Sequence, residues 1–217
     1  GIKATQNIII TNGTIHLDTA DDSIHSNQNI EISGGEIKAA SGDDGIHADN
    51  LLTITSGNID VTKSYEGLEA LNVVIAGGDI QVVASDDGIN VAGGNDSSAL
   101  SRPGANNFSQ TINSDAKLQI DGGTITVDAD GDGLDANGAI YMNGGMVVVN
   151  GPTNGGNGAL DYDTACEVTG GTFIAAGSMQ MAQGVSESST QPTLMMTFTQ
   201  ATQAAGTMVH VKDESLR

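Results

Sequence analysis

Acidic side chains recur at a regular spacing along this chain of 217 residues, and such a pattern could bind cations. They lie in six short segments, which read ADDSIHSN (20–27), GDDGIHAD (42–49), SYEGLEA (64–70), SDDGINV (85–91), DGDGLDAN (130–137) and NGALDYD (157–163). Carboxylate and amide oxygens are hard ligands of the kind that Ca²⁺ prefers. Ligands so far apart in sequence act together only if a repeating element stacks the segments on one another.

Stacking would place the acids in three columns, because equivalent residues of successive repeats would lie one above another. The first column contains Asp22, Asp44, Glu66, Asp87 and Asp132. The second column, three residues later, contains His25, His47, Glu69, Asn90, Asp135 and Asp161. The third column, one residue before the first, contains Asp21, Asp43, Asp86 and, displaced by a glycine, Asp130. We expect the second column to face outward, since its sequence neighbours are inward apolar residues.

Columns of like charge require neutralisation. Two carboxylates ~4.8 Å apart, the spacing of neighbouring strands, repel by about 3 to 4 kcal/mol at an effective dielectric constant of 20. Several such pairs would rival the whole stability of a domain, which is about 5 to 15 kcal/mol. The sequence therefore predicts two or more bound Ca²⁺ ions, and the alternative is a solvated acidic face with diffuse counter-ions.

The densest predicted sites lie where both columns are acidic. One lies between the third and fourth repeats, with Glu66, Glu69, Asp87 and Asn90, within possible reach of Asp44. The other lies between the fifth and sixth repeats, with Asp132, Asp135 and Asp161.

The first two repeats carry His25 and His47 in the second column, and imidazole is a poor Ca²⁺ ligand. Three interpretations remain open there. An ion could be held mainly by Asp21, Asp22, Asp43 and Asp44, a transition metal could bind, or stacked exposed histidines could hydrogen-bond the neighbouring acids.

The repeating element is set by glycine. The second residue of a Gly-Gly or Gly-like pair falls at 13, 35, 57, 78, 123, 145 and 171, so the period is near 22 with one longer gap of 45. Apolar residues alternate on both sides of each pair, as in half-buried strands. A third short strand, IHA in 46–48, follows. Three strands per period predict an all-β, right-handed parallel β-helix of about seven rungs over residues 7–176.

The remaining residues are assigned around this rod as parts of one domain, 1–217. Residues 92–115 form an inserted loop between rungs four and five. Residues 177–217 form a cap, with a hairpin of Leu194–Phe198 and Met208–Val211 over the last rung. The short distance from the second of these strands to Arg217 suggests a truncated chain. Cys166 takes an inward position equivalent to Leu52 and Ile140, as a buried hydrophobe.

The charge balance excludes some partners. With 27 acidic and 7 basic residues the formal net charge is −20, which repels nucleic acid and anionic membranes. No apolar run approaches the roughly 18 residues of a membrane span.

The DDGIH segments, the stacked glycine corners and GDGLDANG (131–138) resemble a clostridial family of secreted carbohydrate-binding domain proteins over about residues 7–184. The resemblance implies a bacterial protein, secreted or at the cell surface. It also implies a calcium-containing parallel β-helix that is similar to pectate lyases and binds cellulose and pectic acid sugars. It further implies that the acids named above hold Ca²⁺.

Three functions fit these features. In the first, which we favour, a non-catalytic module binds uronate polysaccharide through Ca²⁺, and Tyr65 and Tyr141 stack on sugar. The second is a Ca²⁺-dependent lyase that uses Lys63 as the base, with Arg102 on the same face. Carboxylates around Lys63 stabilise its charged form, which disfavours that role and favours a salt-bridging lysine. The third is a structural adhesin that Ca²⁺ stabilises.

Overall fold

The protein is a parallel β-solenoid. A computed structural model describes residues 1–91, 115–198, 203–204 and 206–211. These residues contain seventeen strands, all paired in parallel. None of the described residues lies in a helix, so none forms a helix long and apolar enough to cross a membrane. The strands are β1 (Ile2–Ala4), β2 (Ile8–Ile10), β3 (Thr14–Asp18), β4 (Ile24–Ser26), β5 (Asn29–Ala40), β6 (Ile46–Lys63), β7 (Leu68–Ile75), β8 (Asp79–Ala84), β9 (Ile89–Val91), β10 (Lys117–Ile120), β11 (Thr124–Ala129), β12 (Leu134–Ala136), β13 (Ala139–Met142), β14 (Met146–Asn150), β15 (Leu160–Tyr162), β16 (Ala165–Val168) and β17 (Thr172–Ala176).

Three sheets run along the rod, and each rung contributes one segment to each sheet; β5 and β7 each run through two of the sheets and β6 through all three. The first sheet holds the strands before the glycine corner, the second those after it, and the third the short strands that carry the second column. In the first sheet the register pairs Ile8 with Ile30, Ile30 with Leu52 and Leu52 with Val73. Val73 then pairs with Leu118. The fourth and fifth rungs therefore stack directly although the inserted segment separates them, and the predicted fold class and period are confirmed.

Each corner depends on glycine. Seven glycines at the predicted corner positions have positive φ angles between 81° and 117°, namely Gly13, Gly35, Gly57, Gly78, Gly123, Gly145 and Gly171. Side chains other than glycine rarely adopt this conformation. The glycine of the DDGI segments has a different purpose. A Cβ atom on Gly45 would lie 2.6 Å from both the Gly67 carbonyl oxygen and Val61 Cγ1, so glycine lets the third sheet approach the second closely.

The interior consists of stacked aliphatic side chains. Ile46, Leu68 and Ile89 are fully buried and follow one another in the third sheet. Cys166 stacks on Ile140 with 2% of its surface exposed, as expected of a buried hydrophobe. Burial, with the nearby Glu167 charge, raises the pKa of its thiol to about 12, which makes it a poor nucleophile.

The N-terminal end begins one strand earlier than expected. The β1 strand pairs with β4 and adds a seventh strand to the third sheet. This register places Lys3 beside His25, at the start of the second column. Because β1 precedes the first glycine corner, the glycine pattern did not indicate it.

The C-terminal end is covered by irregular chain. The described residues after Ala176 form no strand, so the hairpin expected at Leu194–Phe198 and Met208–Val211 is wrong for them. The side chains of Ser186 and Ser189 instead accept the amides of Cys166 and Val168, at 2.8 and 3.0 Å. These hydroxyls accept the hydrogen bonds that the backbone of a further rung would accept, so the edge amides of Cys166 and Val168 need no hairpin as a partner. The inserted loop, apart from Asp115, and Arg102 with it, lies outside the described residues.

Candidate metal-binding site

The first column has a backbone role that the sequence did not indicate. Oδ1 of Asp22 accepts the amide of Asp44 at 3.3 Å, and Oδ1 of Asp87 accepts the amide of Asp132 at 2.6 Å. Oδ1 of Asp132 accepts the amide of Gly158 at 2.5 Å. Each of these carboxylates therefore satisfies an amide of the following rung, where the chain turns toward the third sheet. One oxygen of each acid is committed, and the other can serve a second partner.

The second column is more buried than its outward position suggests. Only 4% of His47, 3% of Glu69 and 6% of Asn90 is exposed. His25 and His47 stack with ring centroids 4.7 Å apart and hydrogen-bond Asp22 and Asp44, as expected of stacked histidines beside the acids. The expectation that these histidines are exposed is wrong for His47. Asp44 of the first column and Asp49 flank its ring.

A buried cluster, consisting of Asp44, His47, Glu66, Glu69 and Asn90, spans rungs two to four. Nδ1 of His47 lies 3.1 Å from Asp44 Oδ2 and 2.5 Å from Glu69 Oε2. Nδ2 of Asn90 donates to Glu66 Oε2 at 2.7 Å. Two buried oxygens in this cluster accept no hydrogen bond from the described residues, namely Asp44 Oδ1 and Asn90 Oδ1. The Glu69 oxygen is paired with His47, whose Nδ1 is closer to it than to Asp44.

Burial dominates the titration of this cluster. It raises the pKa of Glu66 well above its ordinary value, and repulsion by Glu69 and Asp44 adds to the effect. Burial also raises the pKa of Glu69 to about 7, although the hydrogen bond and charge of His47 oppose the shift. For His47 burial lowers the pKa, but Asp44 and Glu69 outweigh it and raise the value to about 11. The cluster holds more acid than His47 can neutralise.

A half-buried cluster consists of Asp87, Asp132 and Asp135, whose ligand atoms lie within 4.8 Å of one another. Burial raises the pKa of Asp132 to about 6 and that of Asp135 to about 7. Asp161, expected in this site, lies one rung further on and acts on both acids through its charge. The clustered acids therefore include Asp87 in place of Asp161.

The third column is divided among several partners. Asp21 and Asp43 form a cluster with Asp22, and Nζ of Lys3 lies 2.5 Å from Asp21 Oδ2 and 3.6 Å from Asp22 Oδ2. The Lys3 hydrogen bond lowers the pKa of Asp21. The ammonium group of Lys3 thus already neutralises part of the negative charge at this end of the third column.

The other two members of the third column differ from each other. Asp86 bonds the hydroxyl of Tyr65 and so raises the pKa of that phenol. Asp130 is exposed, and its backbone carbonyl accepts the Asn154 amide at 2.7 Å. Asp130 belongs to none of the metal-ligand clusters in the described residues.

Lys63, the candidate base of a lyase, is exposed at the last position of β6. Within the described part of the chain, no carboxylate lies within 4.0 Å of its Nζ, so the expected salt bridge is not formed there. Nothing in the described geometry places Lys63 in a site.

The model of a family described as carbohydrate-binding domain-containing protein matches residues 1–45 and 105–208, which is more than half of the chain. No curated protein matches the chain, and no solved structure does. The matched segments contain the third-column cluster and all the acids from Asp130 to Asp161. The chain belongs to the family of carbohydrate-binding domain-containing proteins.

Proposed function

We propose that the protein binds acidic polysaccharide, of the uronate class, through Ca²⁺ ions held along its acidic columns. The carbohydrate-binding family supports a polysaccharide as the ligand. The observation that supports a metal ion is the pair of buried oxygens without a hydrogen bond, Asp44 Oδ1 and Asn90 Oδ1. Buried oxygen acceptors without a donor are costly, and a cation with oxygen ligands would satisfy both.

The two clusters suit different purposes. The buried cluster offers carboxylate and amide oxygens from three successive rungs but little access to solvent, so an ion there would stabilise the rod. The half-buried cluster of Asp87, Asp132 and Asp135 is more accessible. Three acids do not fill the 6 to 8 coordination positions of Ca²⁺, so an ion bound there could also accept an oxygen of the polysaccharide. We assign polysaccharide binding to the half-buried cluster.

A bridging ion also explains how an acidic protein could bind an acidic polymer. At a net charge of −20 the protein repels a polyuronate, and only a cation shared between the two sets of carboxylates reverses the sign. A neutral glucan such as cellulose would need a flat aromatic surface instead. The chain has no Trp, 3 Tyr and 3 Phe, so cellulose is the weaker candidate.

Retention on a polygalacturonate gel, with Ca²⁺ and with chelator, tests this function. We expect retention that disappears with chelator. The variant Asp132→Asn/Asp135→Asn should lose it, because the amides keep the shape and the Gly158 bond but not the charges. The matched control Asp79→Asn removes an exposed acid at the start of β8 and should be retained as the wild type is.

Two results would contradict the proposal. Retention that is indifferent to chelator would exclude the calcium bridge. Release of unsaturated oligouronides, followed by their ultraviolet absorbance, would show a lyase rather than a binding module.

A further inference from the structure

His25 and His47 form a stacked pair in the second column that the proposed function does not use. They occupy the middle positions of neighbouring strands in the third sheet, and their rings are parallel within 7°. Two imidazolium rings stacked 4.7 Å apart would repel each other. A ligand that needs two imidazole nitrogens side by side would fit the same geometry without that repulsion.

Each ring is oriented by a carboxylate three residues earlier. Nδ1 of His25 lies 2.6 Å from Asp22 Oδ2, and Nδ1 of His47 lies 3.1 Å from Asp44 Oδ2. A carboxylate behind Nδ1 fixes the ring and leaves Nε2 as the outward nitrogen. Histidines that bind metals usually have such a partner on their other nitrogen.

Both Nε2 atoms face the same third group, the carboxylate of Asp49. Its Oδ1 lies 3.2 Å from Nε2 of His47 and 4.0 Å from Nε2 of His25. Three ligands on a tetrahedral ion with bonds of about 2.0 to 2.1 Å are roughly 3.3 Å apart. The 3.2 Å separation matches this value and the 4.0 Å separation exceeds it, so closure around an ion requires the His25 ring to move toward Asp49.

We propose that Nε2 of His25, Nε2 of His47 and Oδ1 of Asp49 bind one divalent transition-metal ion of the Zn²⁺, Ni²⁺ and Cu²⁺ class. Two imidazoles and one carboxylate suit these ions, whereas Ca²⁺ prefers oxygen throughout. The side chains of His25 and Asp49 are 21% and 28% exposed, so the ion has a route from solvent. The site shares His47 with the buried cluster but uses its Nε2, whereas Asp44 and Glu69 contact its Nδ1.

Calorimetric titration of the metal-free protein with Zn²⁺, in millimolar Ca²⁺ near neutral pH, tests the proposal. Excess Ca²⁺ fills the oxygen sites, so the result is independent of polysaccharide binding. We expect one saturable Zn²⁺ site, whose occupation displaces the proton of the His47 imidazolium into the buffer. His25→Ala and Asp49→Asn should each weaken it by at least about tenfold. His16→Ala removes an exposed histidine from β3 and should bind Zn²⁺ as the wild type does.

Cu²⁺ provides a second measurement that reports on ligand identity. The electron paramagnetic resonance spectrum of the copper-loaded protein should show coupling to two nitrogens, and to one in His25→Ala. Melting curves of the variants establish that they are folded. Three results would overturn the site: coordination of Cu²⁺ by oxygen alone, equal Zn²⁺ binding in His16→Ala and His25→Ala, or displacement of Zn²⁺ by Ca²⁺. The two histidines would then be only a salt-bridged stack.

Discussion

Asp132 illustrates what one carboxylate contributes in this protein. Its Oδ1 accepts the Gly158 amide, and this bond favours the ionised form. Burial and the charge of Asp161 act against ionisation and raise its pKa to about 6. The same side chain is therefore required by the backbone and is penalised for its charge, which a cation would relieve.

Without divalent cations, the protein should lose stability as the pH rises. The pKa values of Glu69 and Asp135, about 7, and of Asp132, about 6, exceed their ordinary values. The unfolded chain therefore releases these protons first, and stability falls between about pH 4 and 7. His47 acts in the same direction. Its stabilisation is complete below about pH 6.5 and declines toward its pKa of about 11.

Thermal melts in chelator and in saturating Ca²⁺ check this dependence. In chelator the melting temperature should fall by about 5 °C or more between roughly pH 4.5 and 7.5. Saturating Ca²⁺ should remove most of the fall. A chelated protein whose melting temperature is constant or rises over this interval would contradict the argument.

The burial of the second column marks the limit of sequence reasoning at this scale. Alternation correctly places Glu69 opposite the inward Leu68 and Ala70. It gives no information on what covers an outward side chain, because that depends on neighbouring rungs. Asp49 was missed because it lies outside the three columns. Alternation in β6 does put it on the same face as His47, two residues earlier, and stacking brings it near His25 of the preceding rung.

At the scale of the element, the glycine corners could be predicted almost completely. Spacing alone gave the register of the first sheet, including the pairing of Val73 with Leu118 across the insertion. It succeeds because positive φ admits glycine and few other residues. The strand β1 has no such mark, so neither it nor the contacts of Lys3 could be predicted.

Alanine substitutions at two corner glycines should distinguish the cost of backbone strain from the cost of a steric clash with the neighbouring rung. Gly13 has a φ of 106° and a Cβ there would meet nothing within 4 Å, so Gly13→Ala should cost about 1–3 kcal/mol from strain alone. Gly123 has a φ of 88°, and its Cβ would lie 2.9 Å from the Gly78 carbonyl oxygen. Gly123→Ala should therefore cost about 1–3 kcal/mol more. Urea denaturation measures both, and equal losses would show that the rungs are not close enough to matter.

At the scale of the whole molecule, the rod is a stack in which each rung contacts its neighbours, so the two ends need separate solutions. The described residues after the last rung supply serine hydroxyls rather than a strand. A hairpin was expected there from weak apolar alternation. Leu194 and Met195 are more than half exposed, so that alternation does not reflect a buried face.

The double substitution Ser186→Ala/Ser189→Ala should weaken this end. It leaves the amides of Cys166 and Val168 without their acceptors, at a cost of about 1–3 kcal/mol each. An edge strand with free amides also invites pairing with another chain. We expect a lower melting temperature and concentration-dependent association in light scattering.

Ser188→Ala is the matched control for this end of the rod. The Ser188 hydroxyl donates to the exposed Glu167 side chain, not to the backbone of the edge. It should therefore change neither measurement. If the double variant behaves in the same way, the serines are not what closes the stack.

The bonds from the first column all point in one direction. Asp22, Asp87 and Asp132 each accept an amide of the rung that follows in sequence. Rungs leave the ribosome in that same order, so each of these three rungs presents an acceptor to chain that has yet to be made. A solenoid with such rungs can template part of its own growth during synthesis, because each of them sets the register of the next.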